Sequence, residues 1–450
     1  MSDNEYISEQ EILRRRDMRD RLTFTIDPAD AKDFDDALSY KELDNDLTEI
    51  GVHIADVTHF VALGSDVDTM AYEKGTSVYL VDQTIPMLPE KLCNELCSLR
   101  PNEDKLTMSV VFTIDANAHV VKHKVCRTVT RSDARLNYEQ AQDILDGKSS
   151  DVPQDVQDSI RKIHLLAQQL RSYRFAHGAQ DFEHEEVKVL IDDLGHPIGF
   201  KIEKSTPAHQ LIEELMLLAN RTIAEDIGKM GKPMVYRVHD KPDTDKLEAI
   251  EKFVNRSRAH VPQTLIDLLR IRAMAKAIYS TKNIGHYGLA FEYYTHFTSP
   301  IRRYPDMMVH RLVAKYILAG KDLTTVAPED LEKACEHCSD CELLAQQMER
   351  DSIKQKQAEW LIQHIGEEFE GTISGVQDFG VFIELDETHC EGLLHVRNLG
   401  DDFWDYQEEN YCLVNSRTRE RLQLGDRMRV RVIGADPVRG RIDFERAAVR

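Results

Sequence analysis

Residues 25–40, TIDPADAKDFDDALSY, constrain the chain more than any other stretch. Asp27, Asp30, Asp33, Asp35 and Asp36 put five carboxylates into ten positions, with Phe24, Ile26, Phe34, Ala37 and Leu38 threaded among them. Large apolar residues in that pattern belong to an interior rather than to a solvated acidic loop. Carboxylates crowded together repel, so at neutral pH they share protons or hold cations. A hard cation takes oxygen ligands, and Mg²⁺ commonly takes one or two carboxylates plus phosphate oxygens and water. Four such carboxylates suit a two-ion site, which activates water on one side of a phosphodiester and stabilises the leaving oxygen on the other. An EF-hand loop does not fit. Counted from Asp33, the sixth residue is Leu38 and the twelfth Asp44, where that loop needs glycine and glutamate. A plain solvated acidic loop is the alternative to a metal site.

The chain has 450 residues, enough for more than one domain, and a net charge of −22 from 57 basic and 79 acidic residues. That charge argues against broad adhesion to nucleic acid, but not against a local basic channel, because fields follow the distribution of charge. No apolar run approaches the roughly 18 residues of a membrane span. The start, MSDNEYISEQEILRRRD, lacks the apolar core of a signal peptide. Eight cysteines scattered along the chain point to a reducing, cytoplasmic setting.

Patterning divides the chain into a charged lead-in at 1–20, a long mixed region at 21–362 and a β-rich segment at 366–447. Strand-like runs such as EIGVHIADVTHFV and LTMSVVFTID come early, and helical periodicity as in HQLIEELMLLANRTIAEDIGKM comes later. His53 and His59 are expected on one side of a single strand, in core packing. The last segment alternates with glycine turns, as a small β-barrel does. Cys335, Cys338 and Cys341 have a spacing that imitates metal ligands. Helical character through that run makes them a drifting stripe instead of a cage.

In TSPIRRYPD two arginines sit between prolines that fix the backbone on both sides. An arginine fork matches phosphate oxygens in a bidentate manner and suits charge that develops on a phosphoryl group. A surface basic turn is the alternative.

TIDPADAKDFDDA resembles the signature of RNB-type exoribonucleases, the ribonuclease II and ribonuclease R family. HFTSPIRRYPDMMVHR at 296–311 resembles the family's second hallmark. VHIADVTHFV, IPMLPEKLCNELCSL, LIEELMLLAN and VYRVHDKP match family blocks in the expected order. The resemblance implies an α/β catalytic domain, a mixed sheet with helices enclosing an RNA channel. It implies Asp27, Asp33, Asp35 and Asp36 as metal-binding and catalytic carboxylates, leaving Asp30 as a loop residue, and Arg302 as the catalytic arginine. Arg303 is assigned to an RNA phosphate or to a structural carboxylate. Tyr79 and Glu349 are implied near the RNA 3′ end, with Tyr138 and Phe182 stacking on bases, an arrangement tolerant of sequence. Glu213 or Glu214 either touches RNA or pairs within the protein.

GTISGVQDFGVFIELDETHCEGLLHV resembles an S1-type RNA-binding domain, an OB-fold. Phe379, Phe382 and His395 match its ring-bearing positions, and Arg441 adds a phosphate contact. The insert DDFWDYQEENYCLVNSRTRERLQLGDRMRV resembles the ribonuclease R subgroup. Two N-terminal cold-shock domains usual in the family have no counterpart here. The resulting expectation is a monomeric 3′→5′ exoribonuclease, with one or two Mg²⁺ ions replaceable by Mn²⁺, that degrades single-stranded RNA to nucleoside 5′-monophosphates without membrane contact. The competing class is an RNA-binding adaptor that has lost catalysis, and a third is a metal-dependent phosphatase or DNA nuclease.

Overall fold

The computed structural model describes residues 7–180, 185–257, 261–318, 327–400 and 402–447. Helix α1 (Glu9–Arg14) leads into strands β1 (Arg16–Asp17), β2 (Thr23–Asp27), β3 (Asp36–Glu42) and β4 (Thr48–Ala55). β5 (Val78–Tyr79) and β6 (Thr84–Ile85) form a separate short hairpin, and β7 (Asp104–Ile114), β8 (Val120–Arg131) and β9 (Ala134–Asn137) follow. Seven of these make one mixed sheet in the order β1-β8-β7-β4-β3-β2-β9, parallel at β1/β8 and β2/β9 and antiparallel elsewhere. All of β2 and nearly all of β7 is buried, the pattern of strands covered on both faces. The sheet takes in residues ahead of Arg21: Arg16 and Asp17 pair with Thr128 and Val129, and the buried Arg15 reaches Asp56 at 2.8 Å.

On one face Ile50, Val52, Ile54, Val110 and Phe112 join the main core. On the other, His53 is fully buried and bonded to Ser39 and Ser109 through its two ring nitrogens, at 2.8 and 2.7 Å. Burial drives its pKa down to about 3, so it is a neutral hydrogen-bonding core residue. His59 does not share that strand. β4 ends at Ala55, Asp56 turns the chain inward, and His59 lies on the short helix α2 (Val57–Phe60).

Helices α3 (Asp66–Lys74), α4 (Tyr138–Leu145), α5 (Gln154–Ala176), α6 (Pro207–Lys229) and α9 (Tyr304–Tyr316) contribute to the main core, while α7 (Thr244–Ser257) and α8 (Gln263–Ala273) pack elsewhere. α10 (Pro328–Ile362) has 35 residues, a length of roughly 50 Å at 1.5 Å per residue. Near its start Cys335 and Cys338 are buried in the main core; near its end Ala358 and Leu361 enter the core of the barrel. The cysteine stripe is thus helix packing: Cys341 abuts Gly75, where an added Cβ would come within 2.5 Å of the cysteine Cβ.

Between the helices lie the hairpins β10 (Glu185–Ile191)/β11 (Pro197–Lys204) and β12 (Tyr236–Val238)/β13 (Ile278–Ser280). The C-terminal barrel closes as β14 (Glu368–Gln377), β15 (Gly380–Leu385), β16 (Glu391–His395), β21 (Arg441–Arg446) and β20 (Arg427–Asp436). The insert forms its own sheet of β17 (Trp404–Gln407), β18 (Cys412–Asn415) and β19 (Arg421–Gln423). Ile250, Phe253 and Leu269 of α7 and α8 share the barrel's apolar cluster, so the barrel is fastened to the helical region by core packing.

A buried polar bridge joins α3 to α9. Arg311 donates to Asp68 at 2.6 Å and Tyr304 donates to the same oxygen at 3.0 Å, with both charged side chains under a tenth exposed. Asp68→Ala strands the arginine without its partner, which costs about 3–5 kcal/mol in comparable buried pairs. The thermal unfolding midpoint of Asp68→Ala is therefore expected well below that of the unaltered chain; equal midpoints would contradict the bridge's role.

Candidate active site

The acidic loop is built at the edge where β2 ends and β3 begins. Asp27 closes β2, in register with Asn137 of β9, and Asp36 opens β3, opposite Ile54. The residues between them are held by their backbone. Arg135 directs one guanidinium nitrogen at the carbonyls of Pro28, Ala29 and Ala31, at 3.4, 2.8 and 3.4 Å. The same guanidinium lies over the Phe34 ring at 5.0 Å. Ser98, fully buried, donates to Lys32 O at 2.8 Å and accepts from Phe34 N at 3.0 Å. Leu99 N and Ala55 N donate to the carbonyls of Phe34 and Asp35. Sequence reasoning named neither Arg135 nor Ser98. Arg135 sits inside the ARLNYEQA block, three residues before Tyr138, so the signal was present, but nothing there marked it as a loop anchor.

The arginine turn is brought to this loop from the other end of the fold. Ile301 N donates to Asp35 Oδ1 at 2.8 Å, and Arg302 Nε lies 3.5 Å from Asp35 Oδ2. Within the turn, Ser299 N donates to Asp306 Oδ1 and Arg302 donates to Ser299 Oγ at 3.0 Å. Asp306, fully buried, also receives Arg303 at 2.8 Å. Of the two partners expected for Arg303, the structure provides the carboxylate. Arg302 differs: its side chain is 44 % exposed beside an Asp35 side chain that is 5 % exposed, so its free edge faces open space.

A third segment closes the group. Thr76 Oγ1 and Ser77 N donate to Arg302 O at 3.0 and 2.9 Å, and Tyr304 N donates to Gly75 O. Gly75 caps α3 with φ +68°, the left-handed region that favours glycine. Two residues past Ser77, Tyr79 is 42 % exposed and its backbone N–H donates to Glu349 Oε1 at 3.0 Å. Tyr138 lies on the opposite flank, stacked on His209 with ring centroids 3.8 Å apart.

The electrostatics follow from burial without compensation. Asp27 Oδ2 and Asp35 Oδ2 are buried with no hydrogen-bond partner among the described residues. Burial pushes Asp27 up to about 8, with the Asp36 charge adding to it. Asp36 is pushed up to about 6 by burial, against the pull of Arg302 and Arg303. Burial raises Asp35 well above the carboxylate range and raises Asp33, which Arg302 and Tyr79 partly offset. The Tyr79 and Tyr138 hydroxyls are raised as well, by burial and then by the neighbouring aspartates. Among the described residues no three His, Cys, Asp or Glu side chains form a ready cage for an ion. What the loop offers is two carboxylate oxygens, Asp27 Oδ2 and Asp35 Oδ2, without hydrogen-bond partners among the described residues.

The remaining candidates separate. Asp30 is exposed and pairs with Lys188 at 3.2 Å. Glu214 is buried against Arg174. Phe182 lies outside the described residues. Phe379, Phe382 and His395 converge on the barrel, with centroids 6.2 Å apart for Phe379–Phe382 and 6.5 Å for Phe379–His395. Arg441 is not with them: the parallel pairing of Leu393 with Asp443 sets it level with Glu391, roughly 13 Å along the strand from His395.

Residues 15–319 match the RNB domain and residues 363–447 the S1 RNA binding domain. Ribonuclease R of Thermotoga maritima is 39 % identical over 97 % of this chain, which spans 66 % of that protein. Ribonuclease R of Aquifex aeolicus is 39 % identical over 98 % of the chain, again across 66 % of its own length. The chain thus spans just under two thirds of these curated relatives. Among solved structures, Mycoplasma genitalium RNase R in complex with ribose-methylated single-stranded RNA superposes with a TM-score of 0.93 at 28 % identity, covering 98 % of this chain and 73 % of that one. Among the described residues no helix is long and apolar enough to cross a membrane.

The raised carboxyls predict a pH dependence of stability. A carboxyl whose folded pKa exceeds its unfolded value stabilises at low pH, and that contribution is lost as pH rises through the folded value. In EDTA, stability is expected to fall as pH rises from about 4 to about 8. Asp27→Asn is expected to flatten the upper part of that fall. Chemical denaturation at a series of pH values checks it; an unaltered profile in Asp27→Asn would contradict the burial of an uncompensated Asp27.

Proposed function

This chain belongs to the RNB-domain family, and from that premise we propose that it is a metal-dependent 3′→5′ exoribonuclease acting on single-stranded RNA and releasing nucleoside 5′-monophosphates. The observation that carries this is the meeting of Arg302 with Asp35 at 3.5 Å, beside the buried Asp27 and Asp35, whose Oδ2 atoms have no hydrogen-bond partner among the described residues. Such a group is costly unless positive charge completes it. Asp27, Asp33, Asp35 and Asp36 fit Mg²⁺ as hard oxygen donors, with one or two carboxylates per ion and the remaining positions left to substrate phosphate and water. Ions held there supply Lewis-acid neutralisation of charge on the phosphoryl oxygens.

The chain's own groups have separable tasks in this reading. Arg302 presents the free side of its guanidinium to the phosphoryl oxygens, where donors gain most as charge develops. Asp306 and Ser299 fix its direction. Tyr79 offers an exposed ring for the terminal base, anchored through Glu349. Phe379, Phe382 and His395 form an aromatic platform of the kind that holds single strands with little base preference. Against the adaptor reading stands the complete set of four aspartates with Arg302 in contact. End-labelled RNA and DNA strands incubated with Mg²⁺ or with EDTA test the proposal: stepwise shortening of RNA from the 3′ end only with Mg²⁺ supports it. Binding without shortening favours the adaptor.

Asp35→Asn retains an oxygen for the Ile301 N–H but removes the charge, and is expected to lower turnover on the order of 10³-fold while RNA affinity changes little. Arg302→Lys loses the planar fork and is expected to lower turnover by about 10²-fold. Single-turnover cleavage with separately measured RNA binding checks both. Cleavage by Asp35→Asn at the unaltered rate would remove this loop from the chemistry, and a purely affinity-based loss in Arg302→Lys would make Arg302 a positioning residue.

A further inference from the structure

The arginine turn is approached through residues 294–299, which lie in no helix or strand yet are buried at every position except His296. A buried backbone without a sheet partner still needs hydrogen bonds. At Phe297 two helices supply them with side chains. Asn220 Oδ1, on α6, accepts from Phe297 N at 2.8 Å. His310 Nε2, on α9, lies 2.8 Å from Phe297 O. A carbonyl can only accept, so that ring nitrogen carries the proton and donates. His310 is fully buried, and burial lowers its pKa, so the ring is neutral. Its ring also stacks on Phe297 with centroids 4.4 Å apart. The buried Asn220 amide is oriented in turn, its Nδ2 donating to Thr298 Oγ1 at 3.4 Å and to Tyr294 Oη at 3.5 Å.

We propose that Asn220 and His310 are positioning residues: by holding both polar groups of the Phe297 backbone they set where Arg302 meets Asp35. The inference rests on the exoribonuclease reading, in which Arg302 faces the phosphoryl oxygens. Between Phe297 and Arg302 lie Thr298, Ser299, Pro300 and Ile301. Pro300 fixes a backbone torsion, Asp306 receives Ser299 N, and Asp35 receives Ile301 N. The aspartates thus define the downstream end of this path, and the Phe297 clamp defines the upstream end. The helices have other support: Leu211, Leu215 and Ile223 of α6 and Met307, Leu312 and Val313 of α9 are buried in the main core. Loss of the clamp therefore loosens the segment rather than the helices. A misplacement of about 1 Å at a reacting group can slow a reaction on the order of 10²-fold.

The test uses full-chain variants in single-turnover RNA cleavage with Mg²⁺, RNA binding in EDTA, and hydrogen exchange. Asn220→Leu and His310→Phe keep the bulk but remove the acceptor and the donor. Each is expected to slow cleavage by about 10- to 100-fold, with RNA affinity within about threefold of the unaltered chain. His310→Gln, whose amide can replace the donor, is expected to recover most of the rate lost in His310→Phe. In an Arg302→Ala background Asn220→Leu is expected to change the rate by less than about twofold, because residues acting through one group are not additive. A merely structural role would lower the rate equally in both backgrounds. Exchange over residues 295–303 is expected to quicken in both variants while 207–229 and 304–316 stay protected. Thr298→Val removes the acceptor that orients the amide and gives a weaker form of the same shift, should Asn220→Leu not fold. Unaltered cleavage and exchange in the folded variants overturns the proposal, as does an equal loss in the Arg302→Ala background. Rapid exchange of the Phe297 and Ile301 amides in the unaltered chain also overturns it, and needs no variant. Absence of RNA cleavage by the unaltered chain overturns the nuclease reading instead, and the exchange arms still decide whether the pair holds the turn.

Discussion

The hydrogen bond from Ile301 N to Asp35 Oδ1 joins residues 266 positions apart in the chain. It fixes one carboxylate oxygen of Asp35 and leaves the other facing Arg302. An acidic loop without the arginine turn would be a repelling cluster, and an arginine turn without the loop a surface cation. Their meeting depends on much of the fold: the β2–β3 edge carries the loop, α9 begins at the turn, and the Asp68–Arg311 bridge ties that helix to α3.

The loop itself is rigid for reasons of backbone hydrogen bonding rather than regular structure. Arg135 satisfies three of its carbonyls and Ser98 holds it at Lys32 and Phe34. Rigid support of that kind keeps carboxylates close together when relaxation would otherwise let them separate. The cost appears in the raised pKa values of Asp27, Asp35 and Asp36. A group placed for a cation and a phosphate is expected to be strained electrostatically in their absence.

Much of this was legible in the sequence. The apolar residues threaded through the aspartates, Phe24, Ile26, Phe34, Ala37 and Leu38, are buried as expected, although Pro28, Ala29, Asp30 and Lys32 between them are exposed; alternation and glycine turns marked the barrel, and the proline-flanked arginines marked the turn. Helical character through the cysteine run read it as a stripe along a helix, and Cys335 and Cys338 do lie on α10, where both are buried. What escaped depended on single contacts between distant segments. Nothing local distinguishes Arg135 from a surface arginine, and the Asp306 partner of Arg303 required the turn's actual path. His59 was misplaced because VHIADVTHFV carries β-branched residues on both sides of Asp56, whose buried pairing with Arg15 lies where the chain turns into α2. The sharing of Ile250 and Phe253 with the barrel core joins elements more than a hundred residues apart.

Burial without compensation favours the protonated form of Asp27 until a cation and a phosphate complete the group. Titrating Mg²⁺ calorimetrically into the chain saturated with a non-hydrolysable RNA, at pH 7 in buffers of different ionisation enthalpy, measures the protons exchanged on binding. The account predicts net proton release, because Asp27 lies near 8 in the absence of the ion and ligands must deprotonate to bind. Binding with no proton release, or with uptake, would contradict it.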